Sequence, residues 1–583
     1  MISPPPRITD RMRLGTLFCY THREILERFV VHGNPRNPGS FATRITLATA
    51  MLAVMLAITL SPAVTGAEAK VKYQLKADPS NPSAVDVSIT FSSQQGEKVI
   101  LAPSKDAGAY PYEGSSPAVE IQTPADSPYS VEVPSSPGGG WAVTSTRAGE
   151  VTVPYKVSFP YLNTARRDLE APGGTAPPRA ISLPDLKVFR ASDVLLRPLK
   201  AEGGKPLATE YEVDVALPSG QKALVPWDAG NNAGSFSVSG QSQLLDNYIT
   251  WGKLNIVKAK AAKTSVSLGY SSDYSGLSDN ERKAYDNAMV ALFERLTKTL
   301  GNRTGLDNLT VVLCGEKRCG LKAPASGTML GSVVLCHGGK TLDGEAAVAA
   351  ASGFFGLWNT YSLVPKAGGN AQWFQAGLPL FYPRRVAAET GLADSNDAYK
   401  SFSAVYKSYL TNRSATKVSL ADASDQPDER ALLAQKGAAL CASISLKLQN
   451  ESKSKNVKDI DTLLGAMAAK YDNLKNGETY TLADMSEMVE TATGTSWDRY
   501  FEGRVRGTEA VLTSEFSATD LFGNTTSTGR PLVVGKGSGK SWIYLVIAIV
   551  IIMLVPIVFN TYVKRAVSLD LSMPKILPDD DDD

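Results

Sequence analysis

The stretch Asp343–Tyr361, DGEAAVAAASGFFGLWNTY, decides how this chain folds. Its pattern predicts a helix, although Gly353 and Gly356 lie inside it and each glycine costs a helix about 1 kcal/mol relative to alanine. Together with the small residues Ala346–Ala351, the two glycines give this helix one very small face. Such a face favours close packing of a neighbouring element. The alternative is an enlarged pocket that grips a peptide or a partner protein.

The segment before this helix predicts antiparallel β-sheet. Between Lys70 and about Tyr270, short runs of alternating apolar and polar residues are separated by clusters of proline and glycine, which is typical of a β-sandwich. The clearest alternating apolar positions are Val85, Val87, Ile89 and Phe91, then Val151, Val153, Tyr155 and Val157, then Tyr211, Val213, Val215 and Leu217. Residues 70–270 are therefore predicted to form a β domain.

A change of periodicity at Ser278 marks the next boundary. Ser278 and Glu281 match a capping box, and the apolar residues that follow recur at helical spacing until a terminating glycine. Two apolar runs, Leu309–Leu313 and Ser332–Cys336, predict strands. Residues 271–420 are thus predicted to form a mixed segment that contains the long helix.

Beyond that helix the sequence is mostly helical in pattern. The predicted helices are Asn396–Tyr409, Glu429–Leu448, Val457–Leu474 and Leu482–Thr493. A helical bundle is therefore predicted over 421–512. Glycine, serine and threonine are frequent in Phe516–Lys540, so residues 513–541 are predicted to be a flexible stalk. The predicted fold class is α+β, with a β-sandwich-like domain, a mixed segment and an α-helical bundle.

Length and charge limit the functional classes. The chain has 583 residues, of which 43% are hydrophobic. That is enough for two or three packed cores, because single domains run to roughly 100–200 residues. The 60 lysines and arginines nearly balance 58 aspartates and glutamates, leaving a net charge of +2. Such a balance offers no strong field for nucleic acid, which is excluded as a partner.

The N-terminal residues predict an export signal. The apolar stretch Ile45–Leu60 follows an arginine and precedes the small-residue sequence Ala67-Glu68-Ala69. This order of charge, apolar core and small residues predicts cleavage after Ala69, and an uncleaved signal anchor is the alternative. Residues 1–69 are therefore interpreted as an N-terminal extension and a signal peptide.

A second apolar run, Trp542–Phe559, predicts a membrane span. It has no charge and is about long enough to cross a hydrocarbon core roughly 30 Å thick. A transmembrane helix is thus expected over 542–563, followed by a cytoplasmic tail, 564–583, with the acidic end Asp579–Asp583. Because the export signal sets the orientation, the ectodomain is expected outside the cytoplasm, in the periplasm, a lumen or the extracellular space. The predicted localisation is that of a single-pass membrane protein.

Four cysteines lie beyond the signal: Cys314, Cys319, Cys336 and Cys441. An even number in an exported domain favours two disulfides. The expected pairs are Cys314 with Cys319 and Cys336 with Cys441, one of three pairings that four cysteines allow. A zinc site is the rival interpretation, but the spacing lacks paired CxxC motifs. The one histidine of the ectodomain, His337, is interpreted as a loop residue beside a disulfide, because no GxSxG motif accompanies it.

Several short motifs around the long helix carry a resemblance to a known family. Ser352–Asn359, SGFFGLWN, stands where the family has HExxH followed by a Trp-Asn pair. Trp373–Gly377, WFQAG, resembles the family's WFxEG helix, and Thr493–Gly507 resembles its closing segment. The chain thus resembles, over roughly residues 75–512, the glycyl aminopeptidases, a gluzincin-type family of zinc metallopeptidases (peptidase family M-sixty-one). The resemblance implies a thermolysin-like mixed segment followed by a helical bundle.

The resemblance also implies that the zinc site has been lost. In the family, two histidines one helical turn apart bind zinc, the intervening glutamate activates zinc-bound water, and a downstream glutamate completes the coordination. In this chain Ser352 stands in place of the first histidine and Gly353 in place of the glutamate. Gly356 stands in place of the second histidine and Ala376 in place of the downstream glutamate. A catalytic zinc needs three protein ligands of nitrogen, sulfur or carboxylate type. Zinc is therefore predicted to be absent, and no catalytic residue is predicted.

These implications lead to a functional hypothesis. The chain is expected to be a catalytically degenerate, peptidase-like pseudoenzyme that binds a peptide or a protein or acts as an assembly subunit. Phe355, Trp358 and Trp373 are expected to line the cleft, where the resemblance places the two tryptophans at its border. The alternative is an active, aminopeptidase-like metallopeptidase whose site these motifs do not identify.

Overall fold

The computed structural model describes residues 70–523, apart from gaps at 79–80, 82, 104–117, 135–138, 160–169, 172–173, 176–179, 230–233, 322, 455, 512–515 and 517. The predicted signal peptide, transmembrane helix and acidic tail lie outside the described residues, as does most of the predicted stalk. The described chain is mixed α and β, with strands in its N-terminal half and helices in its C-terminal half. This confirms the α+β class expected from the sequence.

The N-terminal part is built from short strands. In chain order they are β1 (Val71–Ala77), β2 (Ala84–Ser93), β3 (Lys98–Ala102), β4 (Ala118–Ile121), β5 (Tyr129–Glu132), β6 (Trp141–Ser145), β7 (Gly149–Ser158), β8 (Glu170–Ala171), β9 (Gly174–Thr175), β10 (Ala180–Leu183), β11 (Leu186–Arg190), β12 (Arg197–Lys200), β13 (Glu210–Ala216), β14 (Lys222–Leu224), β15 (Asp228–Ala229), β16 (Ser235–Ser239) and β17 (Tyr248–Gly252). Two short helices, α1 (Ala191–Val194) and α2 (Gln241–Leu245), lie between them.

These strands form three main sheets. The largest has the order β15-β16-β13-β1-β2-β7-β4, and the two four-stranded sheets have the orders β12-β3-β6-β5 and β10-β11-β17-β14. Alternating residues of β1, β2, β7 and β13 are buried and share an apolar core with residues of the second sheet such as Val99 and Val143. One pair, β1 with β13, is parallel rather than antiparallel. Alternation reports which side chains are buried, not the direction of the neighbouring strand, so the sequence pattern could not predict this pair.

A mixed sheet follows and holds the candidate site. Its strands are β18 (Asn255–Ala261), β19 (Thr264–Tyr270), β20 (Asn308–Cys314), β21 (Ala325–Thr328) and β22 (Ser332–Cys336), in the order β18-β19-β20-β22-β21. Strand β20 is parallel to β19 and to β22, and the edge strand β21 is antiparallel to β22. This sheet therefore crosses the predicted domain boundary at residue 270.

The helices agree with most of the sequence-based predictions. They are α3 (Asp279–Leu300), α4 (Gly344–Asn359), α5 (Gln372–Glu389), α6 (Ser395–Thr411), α7 (Leu420–Ala423), α8 (Arg430–Glu451), α9 (Ile460–Lys470), α10 (Asn473–Asn476), α11 (Leu482–Thr493), α12 (Asp498–Phe501) and α13 (Ala518–Phe522), with a π-helical turn at Glu502–Arg506. The predicted capping box is confirmed, because Ser278 Oγ accepts from the Glu281 backbone N–H and the Glu281 carboxylate accepts from Ser278.

Helices α5 and α8 approach each other at the level of their backbones. A Cβ atom added to Gly377 of α5 would collide with the Gly437 backbone of α8, and one added to Gly437 would collide with the Trp373 carbonyl. Helix α5 also contains Pro379 and Pro383. Only glycine allows two helices to lie this close, so this crossing fixes α5 against the bundle.

The last described helix, α13, packs on the bundle. Phe522 is fully buried, and its ring lies 5.9 Å from that of Phe381 and 6.0 Å from that of Phe402. Arg385 donates to the Leu521 carbonyl at 3.1 Å, and Ser395 donates to the Phe522 carbonyl at 3.4 Å. Helix α13 is therefore attached to the bundle.

One helix in the described part of the chain, Pro427–Glu451, has the length and apolarity needed to cross a membrane. It contains α8, and 78% of its most apolar window is buried inside the protein. Burial by the surrounding helices explains its apolar composition, because a central helix of a bundle is apolar on several sides.

Candidate functional site

Helix α4, which carries the decisive stretch, is buried along most of its length by the mixed sheet and by α3 and α5. Its first turns are nearly all alanine, and the residues Ala346, Ala347, Ala350 and Ala351 are each at most 3% exposed. Such small side chains let neighbouring elements approach closely. The close packing compensates for the small apolar area that each alanine buries. The helix begins after Asp343 and ends at Asn359.

Strand β21 lies directly against the two glycines of α4. A Cβ atom added to Gly353 would lie 2.8 Å from Val333 Cγ1 and 3.0 Å from Ser326 Cβ, and one added to Gly356 would lie 2.6 Å from Thr328 Oγ1. Distances under 3.0 Å are sterically excluded unless a neighbour moves. The two glycines are therefore required by close packing, and the small face of α4 is covered rather than open.

Thr328 also joins the strand to the helix by a hydrogen bond. Its hydroxyl donates to the Gly353 carbonyl oxygen at 2.6 Å. The bond engages a carbonyl in the middle of α4, and it orients the Thr328 side chain over Gly356. The resemblance matches position 356 to a histidine. The space that a side chain there would fill is thus taken by Thr328 of β21.

The two other matched positions, Ser352 on α4 and Ala376 on α5, are half-buried. The helices that carry them are connected by a reciprocal amide pair at the end of α4. The side-chain amide of Asn359 donates to the Gln375 carbonyl at 2.9 Å, and that of Gln375 donates to the Asn359 carbonyl at 2.8 Å. These two hydrogen bonds fix the position of α5 along the axis of α4.

The three aromatic residues expected to line a cleft are core residues instead. Phe355 and Trp373 are 0% exposed and Trp358 is 1% exposed. Their rings pack on other aromatic rings: Phe355 on Tyr382 at 5.1 Å, Trp358 on Phe293 at 5.7 Å, and Trp373 on Phe374 at 5.5 Å. The expectation that they border an open cleft is therefore wrong, because α4 and α5 turn these side chains toward the interior.

A cavity of about 350 Å³ opens beside Ala376 instead. Gln372, Gln375 and Ala376 of α5 form one wall, and the segment after α7 together with Arg430 and Leu433 of α8 forms the other. Arg430 is exposed, and the side-chain oxygen of Gln372 is buried without a hydrogen-bond partner among the described residues. The cavity thus presents a cation, Arg430, and a carboxylate, Asp425, the groups that would bind a carboxylate and an amine.

Two arginines and two carboxylates form a half-buried ionic cluster between α3, α5 and α9. Arg295 binds both Glu389 and Asp461, and Arg385 binds Asp461 at 3.0 Å and Glu389 at 2.9 Å. Tyr382 donates to Asp461 at 2.6 Å. Burial would raise the pKa of Asp461, but Arg385 and Arg295 outweigh it and hold that pKa below its usual value. Each charged group has an opposite partner here, so we interpret the cluster as structural.

The cysteine pairing expected from the sequence is wrong. The disulfide joins Cys319 to Cys336, while Cys314 and Cys441 are buried free thiols. Cys336 lies beside Cys314 at the ends of β22 and β20, and the turn after β20 brings Cys319 to the same place. Cys441 lies in α8, in a different apolar core from these three residues. Strand register, which spacing does not report, therefore decided the pairing.

His337 is held in the loop after β22. One ring nitrogen lies 3.1 Å from the Glu316 carboxylate and the other 2.9 Å from the Thr341 carbonyl. Its ring stacks on that of Tyr285 at 6.4 Å. Both nitrogens are thus engaged by protein atoms, which agrees with its interpretation as a loop residue.

Helix α8 contains a buried lysine that was not among the residues predicted from the sequence. Lys436 is 0% exposed, and its amine has no hydrogen-bond partner among the described residues. Burial, with a smaller contribution from Arg504, lowers its pKa to about 8. Its position three residues after Leu433 and four before Leu440 puts it on an apolar face, a signal that helical periodicity could have revealed.

Comparisons with known proteins identify the fold. Neither a protein-family model nor a curated protein sequence matches this chain. Among solved structures, the chain is similar to an aminopeptidase N family protein from Idiomarina loihiensis, with a TM-score of 0.56, 15% identity, and 76% of this chain and 77% of that chain covered. A mutant of an M1 zinc metallopeptidase from Deinococcus radiodurans gives a TM-score of 0.47, 12% identity, and coverage of 77% and 96%. The first of these likenesses shows that the described chain has a fold similar to that of the aminopeptidase N family protein, which confirms the expected peptidase-like fold at this coarser level.

Proposed function

We propose that this chain is a non-catalytic, peptidase-like member of the glycyl aminopeptidase type that is exported, anchored by the segment 542–563, and acts by binding a peptide or a protein. The observation that carries the proposal is the packing of β21 on Gly353 and Gly356. In a zinc peptidase of the family that the sequence resembles, the matched positions hold the general base and a metal ligand. Here they hold no side chain, and Ser326 and Thr328 fill the space.

The donor set at the matched positions does not fit zinc. Ser352 offers one hydroxyl, and Gly353, Gly356 and Ala376 offer no side-chain donor. Catalytic zinc is held by three ligands of nitrogen, sulfur or carboxylate type. We therefore derive no hydrolytic step for this site.

The cavity beside Ala376 is the candidate binding surface. Its volume of about 350 Å³ suits a few residues of an extended peptide rather than a folded domain. Arg430 would bind a carboxylate of the ligand, and Asp425 on the same wall would bind an amine. A peptide segment that carries both a carboxylate and an amine is the ligand that these groups favour.

The first test is metal content together with activity, measured on the purified full chain. Elemental analysis and an assay on aminoacyl and peptide substrates are run with and without a chelator. We expect less than stoichiometric metal and no cleavage above background. Stoichiometric zinc with chelator-sensitive cleavage would instead make the chain an active metallopeptidase.

The second test measures binding. Photo-crosslinking of the full chain to a pool of short peptides is compared among wild type, Arg430→Glu, and Lys458→Glu as a matched control. Both positions are exposed, but only Arg430 lines the cavity. We expect at least a fivefold loss of crosslinked acidic peptide for Arg430→Glu alone, the order of magnitude of one charge-assisted contact. Equal yields from all three proteins would exclude this cavity as the binding site.

A further inference from the structure

Three sulfur atoms meet at the end of the mixed sheet. Cys314 and Cys336 are register partners at the ends of β20 and β22. The disulfide joins Cys319 to Cys336, and the Cys314 sulfur lies 2.8 Å from the Cys319 sulfur. All three sulfur atoms lie within 4.8 Å of one another. Cys319 therefore has two partners within reach.

The geometry points to a disulfide that exchanges between Cys336 and Cys314 as partners of Cys319, and that thereby holds or releases strand β21. In this step the Cys314 thiolate attacks the Cys319 sulfur, and the bond from Cys319 to Cys336 breaks. Cys336 leaves as a thiolate and takes up the proton that Cys314 gave up. One S–S bond forms for each bond broken, so no oxidant or reductant is consumed.

The two pairings enclose different parts of the chain. The bond from Cys319 to Cys336 spans 17 residues and closes a loop that contains all of β21. The bond from Cys314 to Cys319 spans 5 residues and closes only the turn after β20. The first pairing ties β21 into a loop, and the second leaves the strand outside any covalent loop.

The position of Cys336 makes this difference matter for the candidate site. Cys336 lies opposite Ala325, the first residue of β21. The observed bond therefore anchors the start of the strand whose later residues, Ser326 and Thr328, cover the glycines of α4. After exchange, β21 is an edge strand of four residues held by one neighbouring strand and by its packing on α4. Short edge strands held in this way open most readily.

This inference deepens the proposed function, because opening of β21 would uncover the surface of α4 around Gly356 for a ligand, while Val333 of β22 stays on Gly353. Only that consequence rests on the proposed function; the exchange itself does not.

The groups around Cys314 make the exchange slow. Burial raises the pKa of Cys314 to about 12, with Asp273, Glu316 and Asp185 adding to the shift and Arg318 opposing it. Since the thiolate is the attacking species, the two pairings interconvert slowly at neutral pH and faster as the pH rises.

The experiment maps the disulfides of the full wild-type chain. The protein is held at pH 7 or pH 9, free thiols are blocked with N-ethylmaleimide in denaturant, and the products are digested with trypsin without reduction. Cleavage after Lys317, Arg318 and Lys322 puts the three cysteines in separate peptides. We expect both linked pairs, Cys319 with Cys336 and Cys319 with Cys314, and faster approach to their final ratio at pH 9. Detection of the first pair alone at both pH values would overturn the exchange.

The release of β21 is tested by hydrogen exchange on two matched variants. Cys336→Ser permits only the bond from Cys314 to Cys319, and Cys314→Ser permits only the bond from Cys319 to Cys336. We expect the β21 amides to exchange on the order of a hundredfold faster in Cys336→Ser, because the 17-residue loop is no longer closed. Helix α3 serves as the folding control and should be equally protected in both variants. Equal protection of β21 would overturn its release.

Neither measurement involves a ligand or a substrate. Zinc-dependent cleavage would refute the proposed function and leave the exchange intact. A single pairing with unchanged protection of β21 would refute the exchange and leave the proposed function intact.

Discussion

Replacing Gly356 by alanine tests the packing of β21 on α4. In an unobstructed helix this change would stabilise the fold by about 1 kcal/mol, the difference in helix propensity. Here the new methyl group would lie 2.6 Å from Thr328 Oγ1 and 2.9 Å from Thr328 Cβ. Overpacking of this kind costs about 1–3 kcal/mol. Moving Thr328 away would also cost about 1 kcal/mol by breaking its bond to the Gly353 carbonyl.

The expected net result is a loss of about 1–3 kcal/mol in the free energy of unfolding, obtained by offsetting these effects. Urea unfolding, followed by the fluorescence of tryptophans including the buried Trp358, measures it. The informative control is the same substitution in a Thr328→Gly background, where the obstructing side chain is gone. There Gly356→Ala should become neutral or stabilising, so the two sites should couple by about 2 kcal/mol. Equal stabilisation by Gly356→Ala in both backgrounds would refute the packing of β21 on this helix.

Three further substitutions test other parts of the structure. Lys436→Met should raise stability by about 2 kcal/mol at pH 7, somewhat less than the fall in its pKa from 10.5 to about 8 implies. Below pH 8 the lysine is protonated in both the folded and the unfolded state, so this gain should be constant there. Between pH 8 and 10.5 only the unfolded state holds the proton, so the gain should shrink as the pH rises. Urea unfolding at a series of pH values would measure both ranges. Asp461→Asn should cost about 2–3 kcal/mol at pH 7, since it removes the charge-assisted bonds to Arg295 and Arg385 and leaves both arginines with the Glu389 carboxylate alone. The wild type should lose this stabilisation only as the pH falls below about 4. Gln375→Ala should cost about 1 kcal/mol in thermal unfolding, because it removes the bond from the Gln375 side chain to the Asn359 backbone carbonyl and keeps the reverse bond. An equally stable variant would show that the Gln375 side chain does not help to hold α4 and α5 together.

Periodicity predicted much of this fold because most elements have one buried face. The helix after Ser278 and the strands around Val311 and Val334 were predicted for that reason, and the structure confirms them. Helix α5 has no such periodicity, since Pro379 and Pro383 interrupt its pattern and both ends are buried. Only the resemblance indicated a helix there.

The sequence predicted which residues form the candidate site but not that a strand covers them. The resemblance located α4 and Ala376, yet β21 was not foreseen. Its sequence, Ala325-Ser326-Gly327-Thr328, is short, small and without alternation, so no local rule indicates a strand. Its position depends on pairing with β22, and the same strand register brings Cys336 beside Cys314. The spacing of residues along the sequence does not indicate which distant strands pair. The disulfide prediction was wrong for the same reason.

The docking of α13 has a mechanical consequence. Among the described residues, a pull from the C-terminal side acts first on Phe522, which packs against Phe381 and Phe402, and on the hydrogen bonds from Arg385 and Ser395. These contacts load α5 and α6 in parallel, so tension is shared by two helices before it reaches α4. Helix α5 transmits that load directly to α8 through the backbone crossing of Gly377 and Gly437. The strand over the α4 glycines therefore lies off the line of force, and traction on the C-terminal segment would strain the bundle before it disturbs that strand.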